Sequence, residues 1–241
     1  MRAIISSAFV ILAIGTLLLW YFLRYQRARR EQRGITLVTQ WYRTKDARRN
    51  AEIDKCIAAN HSNPYITRHV YFVPDDQAHL VPQFNHSTEI RPVPERMAFQ
   101  DAFALNVRDD ELVVVANSDI IFTPEATRAI IHKLGANEVF ALSRWDCDDA
   151  TAEAYARAKP FLREDSQDAW CWRGKMSMRD TERIPLGVWG CDNRIAWEFQ
   201  QIRQVRNPSK SIKLFHLHPS DFRTTPESRR ISDPYAYIPA E

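Results

Sequence analysis

The stretch ELVVVANSDIIFTPEA, Glu111–Ala126, decides how this chain is read. Leu112–Val115 is an apolar, β-branched run of the kind that forms a buried strand. Asn117, Ser118 and Asp119 then interrupt it, and Ile120, Ile121 and Phe122 resume the apolar pattern. Asn, Ser and Asp are common in turns because their side chains bond nearby backbone. A carboxylate with short polar neighbours at a strand end can also hold a hard divalent cation on a diphosphate. One detail favours the cation. Thr123-Pro124-Glu125 supplies its own cap, helix-starting proline and first-turn acid, so Asp119 is not needed to start the next helix.

Outward from this stretch, strands and helices alternate. ITLVTQWY (35–42) and ITRHVYFVP (66–74) read as strands, and KDARRNAEIDKCIAAN (45–60) as an amphipathic helix between them. EIRPVP (89–94) is confined to a sheet edge by its prolines. ERMAFQDAFALNV (95–107) reads as helix, EVFALSRW (138–145) as strand, CDNRIAWEFQQI (191–202) as helix and SIKLFHLH (211–218) as a late strand. The segment between 146 and 190 shows no regular pattern. This alternation predicts an α/β, mostly parallel sheet with helices on both faces, and in such sheets ligands bind beyond the carboxyl ends of the strands.

The composition, with 45% hydrophobic residues and a net charge of +3, suits a globular core and makes no case for a nucleic-acid partner. Ala3–Leu23 carries no charge and is about as long as a bilayer core is thick, which predicts an uncleaved transmembrane anchor over 1–24. A basic tether (25–34), a domain (35–223) and a tail (224–241) follow. Arg24, Arg27, Arg29, Arg30 and Arg33 place the domain in the cytoplasm by the positive-inside rule. A Golgi-type lumenal orientation is the eukaryotic alternative, which the sequons at Asn60 and Asn85 would permit. Cys56, Cys147, Cys171 and Cys191 lack metal or disulfide spacing and read as buried thiols.

Four further clusters carry chemistry. In GVWGCDNRIAWE (187–198), Gly190 permits close backbone approach, and Asp192 and Asn193 fall in a first helical turn. They read either as capping residues or, for Asp192, as a general base whose pKa the helix dipole holds low. In FHLHPSDFR, His216 and His218 stand at strand spacing, so only one ring should reach a given site. In SRWDCDD, Arg144 and Asp146 suit a substrate loop or an ordinary ion pair. In EDSQDAW, Asp165 and Asp168 precede an aromatic residue and could equally form a solvated turn.

The order of these pieces, from ITLVTQWY through NSD and VWGCDN to the late His, resembles the GT-A class of nucleotide-sugar glycosyltransferases over 35–223. NSD is similar to their DXD triplet without its first acid, and WGCDN to their W-G-x-E-D motif with Asn193 in place of the second acid. The resemblance implies a GT-A-like, Rossmann-like fold and a membrane-anchored enzyme that moves a sugar from a nucleotide-diphosphate donor to a glycan or lipid-linked acceptor. It implies Mn2+ or Mg2+ held by Asp119 and His218, with His216 as competitor. Gln40, Trp41, Tyr42, Asn117, Ser118, Arg144 and Asp146 would face the donor. Trp189, Gly190 and Asn193 would face the acceptor. Asp192 would act as base, with Asp168 in reserve. Two alternatives remain. One is a degenerate GT-A domain that binds a sugar nucleotide or a partner without catalysis. The other, ranked below it, is a nucleotidyltransferase, because no glycine follows the first strand before Gly135 to form a phosphate loop.

Overall fold

The computed structural model describes residues 2–84, 87–178, 182–220 and 230–241, without the side chains of 2–11 and 30–33. The sequon at Asn85-His86 and residues 224–229 lie outside the described residues. In chain order the elements are α1 (Arg2–Arg33), β1 (Ile35–Gln40), α2 (Ala47–His61), β2 (Ile66–Pro74), β3 (Thr88–Val93), α3 (Phe99–Phe103), β4 (Leu112–Ala116), β5 (Ile120–Ile121) and α4 (Pro124–Lys133). They continue with β6 (Glu138–Leu142), β7 (Arg144–Cys147), α5 (Ala152–Arg157), β8 (Lys159–Phe161), β9 (Ala169–Arg173), α6 (Cys191–Gln200), β10 (Gln204–Arg206) and β11 (Leu214–Leu217).

Seven strands form the main sheet in the order β10-β6-β9-β4-β1-β2-β3. Its pairs are parallel except where β9 runs antiparallel to both β4 and β6. The sheet is therefore mixed. β3 takes the edge that Pro92 requires. Alternation along each strand sorts side chains to two cores. Val38, Val113, Val115, Trp170 and Trp172 meet Phe99 of α3 and Phe199 of α6 on one face. Leu37, Leu112, Val114 and Cys171 meet Ile130 and Ile131 of α4 on the other. Full burial of one such side chain is worth about 1.5–3 kcal/mol.

The run read as one strand over 138–145 breaks at Ser143. That residue is buried among bonds from its N–H to Ser209 and from its hydroxyl to the Ser166 carbonyl. β6 stays in the main sheet, and β7 turns into a second sheet of order β5-β11-β7-β8. The NSD turn does the same for β4. The chain bends at Asn117, whose carbonyl accepts from the Ile120 N–H, and resumes as β5 against β11. The cleft opens where the two sheets diverge, beyond the carboxyl ends of β1 and β4. Asn60, the first residue of a sequon, is buried. It donates to the Ile120 carbonyl and accepts from the Phe122 N–H, so it holds this bend in place.

The membrane anchor and the orientation derived from it are corrected. Among the described residues, no helix is long and apolar enough to cross a membrane. No transmembrane segment, membrane partner, cytoplasmic face or lumenal face is assigned. The four cysteines are free thiols, three of them buried and Cys147 half-buried.

Candidate functional site

A cleft of about 990 Å³ lies between the two sheets and collects side chains from β1, the β4–β5 turn, β7, the loops flanking β9 and the start of α6. At one end stands Asp119, 6% exposed. Its Oδ2 accepts from Arg49 Nη2 at 2.5 Å and faces His216 Nε2 at 3.2 Å and His218 Nδ1 at 3.7 Å. Its Oδ1 is buried without a hydrogen-bond partner. Burial by itself would raise this carboxyl, but His216 and then Arg49 override it and hold it well below the usual carboxylate range.

Both histidines reach Asp119, against the expectation that only one could. β11 ends at Leu217, so the two-residue alternation no longer governs His218. Beyond Pro219 the N–H and hydroxyl of Ser220 both donate to Glu52 of α2, at 2.7 and 2.8 Å, and draw the chain back over the cleft. One ligand atom each from Asp119, His216 and His218 lies within 4.8 Å of the others. His216 Nδ1 also meets Asp146 Oδ1 at 2.8 Å, and its two acid neighbours raise its pKa to about 9 against the opposing effect of burial.

The other end holds two more acids. Asp168 precedes β9 and accepts from Arg144 Nη1 at 3.1 Å and Asn117 Nδ2 at 3.2 Å. Burial raises its pKa, and Arg144 opposes the rise. Asp192 lies in the first turn of α6, where Cys191 Sγ, at 3.4 Å, is its side-chain partner. The helix dipole does not keep its carboxyl low. Burial first, and then the charge on Asp168, push it up to about 7. Arg144 joins the ends, since its Nε donates to Asp146 at 3.0 Å while its Nη1 holds Asp168.

The remaining expected residues sort by geometry. Gln40 and Tyr42 line the cleft, but Trp41 points away, as alternation past the end of β1 requires. Trp41 is fully buried beside Tyr71 and Val73. Ser118 donates to the Gln40 carbonyl at 2.7 Å and so ties β4 to β1. Trp189, 38% exposed, and Gly190 line the cleft, with Gly190 at φ +82. Asn193 also lines it, but its amide donates to the Ala236 carbonyl at 3.2 Å. Asp165 pairs with Arg163.

Arg49 and Glu52 were not singled out from the sequence. Both are buried on α2 with Ile53, Cys56 and Asn60, so the inward face of that helix carries an ion pair. The signal was charge at helical spacing within an otherwise apolar face.

No family model matches the chain, and no curated protein matches it. Among solved structures it is similar to 4-diphosphocytidyl-2C-methyl-D-erythritol synthase from Anaerococcus prevotii, at 12% identity and a TM-score of 0.45, covering 81% of this chain and 94% of that one. It is also similar to the inositol-1-phosphate CTP transferase from T. maritima, at 10% identity and a TM-score of 0.44, covering 80% and 94%. At this distance no residue role passes from either. The second is a CTP transferase by name and neither name is that of a glycosyltransferase; the GT-A glycosyltransferase assignment is corrected. With it go the nucleotide-sugar donor and the glycan or lipid-linked acceptor. The motifs behind that assignment also diverge in place. Asn117 binds Asp168 instead of serving as a second acid, and Asn193 is turned to the C-terminal segment.

Proposed function

We propose that the chain is a divalent-metal-dependent nucleotidyltransferase, joining a nucleoside monophosphate unit from a triphosphate to a phosphate-bearing acceptor. The observation that supports this most is the convergence of Asp119, His216 and His218 in a cleft that also takes in Arg96, Arg157, Lys159 and Arg163. A triphosphate and an acceptor phosphate together bring several negative charges into one place. The cleft volume of about 990 Å³ is at the upper end of the roughly 300–1,000 Å³ of single-ligand pockets, leaving room for a donor and an acceptor. The name of one similar structure, a CTP transferase, belongs to the same class.

The residues present fit a metal ion. Asp119 Oδ1 is a buried carboxylate oxygen with no hydrogen-bond partner, and two imidazoles stand beside the same carboxylate. With His216 giving up its proton on binding, this mixed nitrogen and oxygen set suits Mn2+ better than Mg2+, which prefers oxygen and water. When bound, the ion would neutralise charge on the phosphates and polarise the bond to be broken. Arg49 fixes Asp119 through Oδ2 and leaves Oδ1 for that purpose.

An acceptor phosphate oxygen attacks the α-phosphorus, the bond to the bridging α–β oxygen breaks, and pyrophosphate leaves. The attacking oxygen belongs to the dianion, and an acceptor that enters as the monoanion must lose its last proton, whose pKa is about 6 for a phosphate monoester. Asp192, at about 7, is matched to take it. Arg144 pairs with Asp168 beside it and opposes the rise that burial causes there.

The full chain is incubated with Mn2+, each common nucleoside triphosphate and a panel of sugar and polyol phosphates. Pyrophosphate release that EDTA abolishes is the expected result. Triphosphate binding by calorimetry without pyrophosphate release from any pair would instead favour a binding module.

A further inference from the structure

The C-terminal residues, which the sequence presents as a tail, are built into the molecule. The Ile231 N–H donates to the Trp189 carbonyl at 2.8 Å. The Ala236 N–H donates to the Asn193 carbonyl at 2.9 Å, and the Asn193 amide returns a bond to the Ala236 carbonyl at 3.2 Å. The Ile238 N–H donates to the Glu164 carbonyl at 2.8 Å, and the Ile238 carbonyl accepts from Asn207 Nδ2 at 3.1 Å and Gln167 Nε2 at 3.5 Å. Ala236 and Ile238 are buried in the core shared with α6.

The placement of these contacts is specific. Asn193 is the residue after Asp192, and Gln167 is the residue before Asp168. One short segment therefore ties the loop that carries Asp168 to the start of α6 that carries Asp192, two places far apart in sequence. Gly190 makes the approach possible. A Cβ there would lie 2.9 Å from the Tyr235 hydroxyl and 3.0 Å from the Ile231 carbonyl. The bonds are backbone to backbone or from buried amides, so they fix the position of both acid-bearing segments.

We infer that Ile231–Ile238 is a strap that positions Asp168 and Asp192, with Asn193 and Gln167 as the positioning residues through which it acts. The inference rests on the reading of the cleft as the functional site. A strap that only added packing would stabilise the fold and leave the acids as they are. A positioning strap controls how close they are, and hence where Asp192 takes up its proton. The groups that act on Asp192 are Asp168, Cys191, Arg144 and the Gln167 N–H.

The test follows Asp192 directly, by carboxyl carbon NMR titration of the full chain, so it needs no substrate. Three variants are compared: Asn193→Ala, Asn193→Ser, which restores a donor, and Ile130→Val, a core change in α4 remote from the strap. In Asn193→Ala the Asp192 midpoint should fall by about one pH unit or more, toward the ordinary value of about 3.9. Asn193→Ser should recover part of that shift, and Ile130→Val should leave the midpoint unmoved despite its loss of stability. An unchanged midpoint in Asn193→Ala would overturn the strap's role, as would an equal shift in Ile130→Val. If the midpoint moves as expected but no triphosphate is turned over, the strap stands and the nucleotidyltransferase reading fails.

Discussion

The two ends of the cleft use the same side chain for opposite purposes. Asp119 is buried and Asp192 half-buried, and burial alone would raise both. At the Asp119 end, His216 and Arg49 supply positive charge in contact, and the carboxyl is held ionised. At the Asp192 end, the side-chain partner is a thiol and the charge that acts most strongly is another acid, so burial and then Asp168 raise the carboxyl to about 7. The chemistry divides accordingly. An acid held ionised can hold a cation, while an acid poised near neutrality can exchange a proton. What separates them is the neighbour each strand or helix end delivers.

The largest effect should come from breaking the ionised end. Asp119→Ala should abolish Mn2+ binding by calorimetry and reduce turnover by about three orders of magnitude, since the ion's stabilisation of phosphate charge is worth several kcal/mol. Retained Mn2+ affinity would place the metal elsewhere.

Breaking the poised end should be milder for activity and opposite in sign for stability. Asp192→Asn should lower turnover by about 10²-fold and remove the limb near pH 7 from the rate profile. The folded pKa of Asp192 lies above its unfolded value of about 3.9. Its contribution to stability is therefore fully present below pH 4 and is lost as the pH rises through 7. Wild type should then lose stability across that window, by about 4 kcal/mol at most, and the Asp192→Asn variant should not. Parallel melting temperatures for the two proteins from pH 4 to 8 would refute the assignment.

The smallest change probes the link between the ends. Arg144→Met strands Asp168 without its cation, and losing one partner of a buried pair costs about 3 kcal/mol. Denaturant unfolding would measure it. A cost well under 1 kcal/mol would show that the ends are independent.

Much of the scaffold was legible in the chain. β1, β2, β4 and α4 fall where apolar runs, prolines and the Thr123 cap place them, because those signals are local. β9 was missed. AWCWR is buried on both faces and lies between two loops, so it has no alternation to reveal it. Its antiparallel insertion between β4 and β6 turns a parallel sheet into a mixed one and brings Asp168 beside Asn117. α3 shortens to five residues because the flanking chain is tied to 184–186 instead of continuing the helix.

By itself, the sequence determined the alternating strands and helices, and it marked Asp119, Asp192 and the two histidines as residues at element ends. Those are properties of neighbouring residues and their spacing. Only the tertiary structure decided that both histidines reach Asp119, that Trp41 turns away, that Asp192 is raised instead of lowered, and that the last residues bind the acid-bearing loops. Each of these depends on contacts between segments distant along the chain, and burial and charge act through space.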